Sequence, residues 1–130
     1  MIKSSQSRER GQELVEFAMT LPILFMMLMG IFDMGRAAYY NSVLYNAARE
    51  GTRYGVIGPY NPGGIDTAAR KLAIGLDPAI LTVNSAYNAS AKTIRVTMTY
   101  VFTPVTPVVA SFYGADSVTI TSQSTMRTEQ

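Results

Sequence analysis

The chain has 130 residues, enough for one ordinary domain or for a small head with an anchor. Hydrophobic residues make up 48% of it and charged residues only 15%, well below the usual quarter, which points to a membrane-embedded part. The net charge of +2 is small and its basic residues are scattered, which gives no ground for nucleic-acid binding; without Cys or His there are no disulfides, no thiolate metal sites and no imidazole base.

Residues 1–11 form a basic leader, with Lys3, Arg8 and Arg10 against Glu9. The next segment, 12–57, is predicted to be one long helix, membrane-spanning over 14–32 and amphipathic over 33–55. Phe17 to Phe32 is a stretch of sixteen residues without a charge. With Leu14 and Val15 it reaches nineteen residues and one carboxylate, Glu16. As a helix that is about 28 Å, close to the hydrocarbon thickness of a bilayer. "LPILFMMLMGIF" is apolar on every side, where a soluble surface helix shows a stripe. The competing readings are a buried core helix and a cleaved secretory signal. The signal needs a small-residue cleavage site after the run, but Asp33, Gly35 and Arg36 stand there. The basic flank puts the N-terminus in the cytoplasm and the bulk outside, although Arg36, Arg49 and Arg53 reduce the asymmetry. Pro22 removes the hydrogen bond to the Ala18 carbonyl, so a bend is expected there. Membrane helices tolerate such breaks.

Glu16 is the anomaly, because a carboxylate in lipid is costly. It either finds a partner or snorkels to the nearby headgroups. Its context is basic residues, Gly11, then Gln12-Glu13-Leu14-Val15-Glu16 and the apolar run. This resembles the signal of type IV pilin precursors: a short basic leader, a glycine, and a glutamate at the fifth mature position. The resemblance implies that a prepilin peptidase of the membrane cuts between Gly11 and Gln12 on the cytoplasmic side and that the helix is kept. It also implies that Glu16 meets the new α-amine of a neighbouring subunit as helices bundle. A buried carboxylate is tolerable when so paired. Gln12 stands where the commonest pattern has Phe.

After Arg36 the pattern changes from uniform to striped. Tyr40, Leu44, Ala47, Gly51 and Tyr54 recur on one helix face, expected to be covered by a head. Asp33 and Arg36, three apart, can pair on the helix surface or stay as solvated charges. Small residues at Ala37, Ala38, Ala47, Ala48 and Gly51 permit close approach of another element. The stretch from Gly11 to Val56 resembles the TadE-like family, pilin-like proteins of tight-adherence pili. The residues that carry the likeness are Gln12, Val15, Glu16, Phe17, Leu21, Pro22, Gly30, Asp33, Gly35, Arg36, Asn46-Ala47-Ala48-Arg49-Glu50-Gly51 and Arg53-Tyr54. Membership implies an exported, membrane-started protein with a C-terminal head, assembling through Glu16, Phe17, Pro22 and the rest of that helix.

Residues 58–130 are predicted to be that head. "GPYNPGG" (58–64) reads as a turn and short linker. Asp66 is expected to cap a helix through "TAARKLAIGL", ending near Gly75, with Ile65, Ala69, Leu72 and Leu76 at helical spacing. Three strands follow. "AILTVNSA" is short and mixed. "TIRVTMTYVF" alternates Ile94, Val96, Met98, Tyr100 and Phe102 with Thr93, Arg95, Thr97, Thr99 and Val101, the mark of a half-buried strand. "SVTITSQSTMRT" alternates at first and then fades. "YNASAK" is a hairpin turn. "TPVTPVVASFYGADS" crosses between the last two strands, with room for a helical turn over 108–112. The tail after Ser124 is polar and expected to fray unless held. The fold class is therefore α+β: a long N-terminal helix packed on a small antiparallel sheet, as in pilins.

No phosphate loop, metal cluster or paired carboxylates are evident, so no cofactor, metal or catalysis is expected. Three functions remain open. The chain is a structural filament subunit whose partners are itself and other pilin-like subunits, in the cytoplasmic membrane before assembly. Or it is a membrane-anchored adaptor of a pilus machine that does not polymerise. Or it is an unrelated single-pass protein with a sensor head.

Overall fold

The computed structural model describes residues 4–107, 110–111, 114 and 116–128, and the side chains from residue 11 onward. A single helix, α1, runs from Ser4 to Ile57, 54 residues and about 80 Å. It ends where expected and continues N-terminally through Gly11 into the leader. It also continues through Pro22. The hydroxyl of Thr20 donates to the Glu16 carbonyl at 2.9 Å, within the same turn.

The sequence changes the solvent of α1 halfway along. From Gly11 to Phe32 no residue is buried. From Asp33 on, one face is covered, with Leu44, Ala47, Ala48 and Thr52 fully inaccessible. The predicted stripe holds through Leu44, Ala47 and Gly51. At its end the buried position is Gly55, and Tyr54 is exposed. A period of 3.6 residues drifts off the i+3 step, which explains the change.

A second helix, α2 (Pro62–Leu72), lies across this half. Its cap is Asn61, whose Oδ1 accepts from the Gly64 N–H at 3.1 Å, with Pro62 at the first helical position. Asp66 is therefore not the cap. It sits one turn inside and pairs with Arg70 at 3.0 Å. "NPGG" reads as a linker by composition, yet Pro at the first position and Asn before it are also a helix start. Leu72 faces out, while Ile65 and Ala69 are buried against α1. Gly51 and Gly55 make that approach possible. A Cβ on Gly51 would lie 3.1 Å from Ala69 Cβ, and one on Gly55 3.0 Å from Ile65 Cδ1 and 3.1 Å from Ile94 Cδ1. Only a bare backbone fits there.

A short 3₁₀ turn (Pro78–Ile80), capped by Asp77, leads into an antiparallel sheet. Its strands are β1 (Leu81–Asn88), β2 (Thr93–Phe102) and β3 (Val118–Arg127), in the order β1-β2-β3. Leu81 opposes Tyr100 and Asn88 opposes Thr93; Phe102 opposes Val118 and Thr93 opposes Arg127. The residues 89–92 close the expected hairpin, with Asn88 Oδ1 accepting from the Ala91 N–H. The inner face of β2, Ile94, Val96, Met98, Tyr100 and Phe102, is buried as its alternation predicts.

β3 does not fade. Its inner face changes from Val118 and Ile120 to Ser122 and Ser124, both buried. Small side chains there let α1 approach: the Ser122 hydroxyl donates to Asn41 Oδ1 at 2.8 Å. Thr52 donates to the Ala48 carbonyl at 2.7 Å, which leaves its hydroxyl 3.4 Å from the Ser124 carbonyl. The tail is held too, since the Thr128 N–H donates to the Lys92 carbonyl at 2.8 Å. The helical turn expected over 108–112 falls partly outside the described residues; Ala110 N–H donates to Thr106 O at 3.2 Å.

Candidate functional site

The largest uncovered feature is the N-terminal half of α1. Phe17, Met19, Ile23, Phe25, Met27, Ile31 and Phe32 all lie half or more exposed, on every side of the helix. One helix among the described residues is long and apolar enough to cross a membrane, and its apolar window has no residue buried inside the protein. The buried-core reading is thereby overturned: the head packs on residues after Phe32, not before. Water cannot be the medium for such a surface at about 25 cal/mol per Å² of apolar area. Lipid or other apolar helices can.

The expected processing and assembly residues all lie on this rod. Gly11 and Gln12 are within helix rather than in an extended stretch. Glu16, Phe17 and Pro22 are exposed, and the Glu16 carboxylate has no hydrogen bond or ion pair among the described side chains. A carboxylate on an apolar rod, without a partner among the described side chains, calls for one from elsewhere.

At the other end of the rod stands a second carboxylate. Asp33 and Arg36 do pair, Nη1 to Oδ1 at 3.2 Å. Asp33 is not on the surface, however, but 2% exposed. The backbone N–H groups of Val105 and Thr106 donate to its Oδ1 and Oδ2 at 3.1 and 2.7 Å. Burial pushes the Asp33 carboxyl up. The neighbouring Thr106 hydroxyl, the two N–H groups and the Arg36 charge outweigh that and bring it below its usual value. The Thr106 hydroxyl itself is buried without a hydrogen bond of good geometry, so its effect is that of a nearby dipole. Asp33 thus ties the rod to the crossover between β2 and β3. Nothing in the sequence marks these partners, which are 72 and 73 residues away.

Arg36 completes the junction. Its guanidinium carbon lies 5.2 Å from the Phe102 ring centre and 5.8 Å from that of Tyr40. Tyr40 in turn meets Tyr100 and Phe102 edge-on, at 5.2 and 5.8 Å. Cation–π and edge-to-face contacts of this kind fix orientation as well as adding stability. The cluster joins the rod to the crossover between β2 and β3, through Asp33 bound to Val105 and Thr106.

Compared with known proteins, residues 11–53 match a family described as TadE-like protein. No curated protein and no solved structure matched the chain. The match covers the rod, the Asp33–Arg36 junction and the helix under the head, and leaves the sheet outside it. Over this segment, a third of its length, the chain is similar to TadE-like proteins.

Proposed function

We propose that the chain is a structural subunit of a Tad-type filament. It is inserted in the cytoplasmic membrane with its N-terminus inside and its head outside. It then exchanges lipid for the rods of itself and of other pilin-like subunits. The observation that supports this most is the rod from Leu14 to Phe32, nearly all apolar, uncovered by its own head and carrying one carboxylate, Glu16, that has no partner among the described side chains. A lone membrane anchor has no use for Glu16, whereas a bundle gives it a partner in the α-amine freed by cleavage between Gly11 and Gln12. Heterologous contacts between rods yield a helical polymer when their rotation does not close. The reading assigns the chain no catalysis and no cofactor.

Sheared extracellular fibres test it. The chain should be found in them, starting at Gln12 by mass spectrometry. Recovery only in membrane fractions would favour the adaptor reading. A Glu16→Ala variant should insert into the membrane and fail to enter fibres; normal fibres from it would remove the pairing role.

A further inference from the structure

We infer that the rod-proximal end of the head is a lipid-docking collar, in which Ile74 and Val105 sit in the headgroup layer of the outer leaflet. The inference rests on the reading of α1 as a membrane-spanning helix and adds a second membrane contact to it. Ile74 lies in the turn after α2 and Val105 in the crossover after β2. They are 70% and 68% exposed, yet each adjoins residues that are buried, Ala73 beside one, and Pro104 and Thr106 beside the other. The fold therefore pins both loops and turns these two apolar side chains outward. One exposed Ile or Val is ordinary. Two on separate loops, each tied by a hydrogen bond to the same stretch of one helix, are less so.

Their level along the rod is fixed by hydrogen bonds. Val105 hangs from the Asp33 carboxylate at 3.1 Å. The Ile74 carbonyl accepts from the Tyr39 hydroxyl at 3.4 Å. Helical side chains lean toward the N-terminus, so both groups lie below the Cα of the residue that holds them. A groove is lined by Ile31, Phe32, Gly35, Arg36, Tyr39 and Tyr40 together with Gly75, which brings that loop beside the last apolar turn. The apolar run ends at Phe32. Beyond it the headgroup layer is about 5–8 Å thick per leaflet, the rise of roughly four or five helical residues. Residues 33–37 fall in that layer, and both loops reach it, Val105 at Asp33 and Gly75 beside Phe32 and Gly35.

The occupant follows from continuity. Gly75, next to Ile74, borders the groove with Phe32 and Ile31, and Val105 hangs from Asp33, the residue after Phe32, so the medium that surrounds those residues also meets Ile74 and Val105. Tyr39, with an apolar ring and a polar tip, suits that depth, and Arg36 can reach a lipid phosphate with its free donors. The collar would stop the rod from sinking further and hold the head at one height and tilt.

The chain has no Cys, so single cysteines report cleanly. The full chain carrying Ile74→Cys, Val105→Cys, Phe25→Cys or Thr121→Cys is labelled with an environment-sensitive fluorophore. It is then reconstituted into phosphatidylcholine–phosphatidylglycerol vesicles containing spin-labelled lipid. Phe25 reports the rod and Thr121, on the outer face of the sheet, reports solvent. Labels at Ile74 and Val105 should be quenched by shallow spin-labelled lipid several-fold more than the label at Thr121, with emission shifted to the blue. If Phe25 is quenched while Ile74 and Val105 behave like Thr121, the collar is overturned and the spanning rod stands. If the label at Phe25 also stays in water, the spanning reading falls and the collar with it.

Discussion

The two halves of α1 have the same backbone and opposite surroundings. Residues 14–32 are apolar but for Glu16 and Thr20, and none of them is buried. Residues 33–57 are polar on one side and close-packed on the other, with Leu44, Ala47 and Ala48 inaccessible. Regular helix geometry continues through both. Helix propensity therefore decides nothing about what each half does. The difference lies in side-chain size. The first half has bulky Leu, Met and Phe that fill space around the helix. The second has Ala and Gly that let other elements reach its backbone.

The comparison breaks most visibly at matched leucines. Leu44→Ala should destabilise the head by about 3 kcal/mol, whereas the equivalent Leu28→Ala should leave head unfolding nearly unchanged. Urea unfolding in detergent micelles, followed by tyrosine fluorescence, measures both. Equal losses at the two sites would mean that the rod contributes to the head core.

Matched glycines sharpen it next. A Cβ on Gly30 meets nothing within 4 Å, whereas one on Gly55 meets Ile65 and Ile94. Gly55→Val should cost about 2 kcal/mol through overpacking, and Gly30→Val close to nothing in the isolated protein. In assembled fibres Gly30→Val tests whether a neighbouring rod packs closely there.

The junction comes third. The Asp33 carboxyl is held below its usual value, so its share of stability is fully present above the ordinary carboxylate range and is lost as pH falls through the lowered value. Asp33→Asn should cost about 1–2 kcal/mol at neutral pH and flatten the acid limb of the stability curve. An unchanged acid limb would move the sensitivity elsewhere. The smallest effect is expected at the α2 cap, where Asn61→Ala should cost about 1 kcal/mol without affecting the rod.

Much of this was legible residue by residue. The uniform run from Phe17 to Phe32 and the alternation from Ile94 to Phe102 announce their environments, because each repeats one local signal many times. Asp66 and Asn61-Pro62 carry the same helix-start signal, which composition alone does not rank, and the helix starts at the earlier one. Ser122 and Ser124 looked like a strand dying out, because a polar side chain chosen for its small size reads like one chosen for water. Asp33 looked like a surface charge, because its partners lie 72 and 73 residues further along.

The sequence by itself determined the rod, its single carboxylate at Glu16, the amphipathic continuation and the β2 strand. All of these depend on neighbours within a few residues, where helix and strand periods act directly. Only the tertiary structure decided that the rod stays uncovered, that Gly51 and Gly55 receive α2, and that Asp33 is buried under the crossover loop. Those outcomes depend on which distant segments meet. A pattern of periods does not specify such meetings until the backbone has brought the residues together.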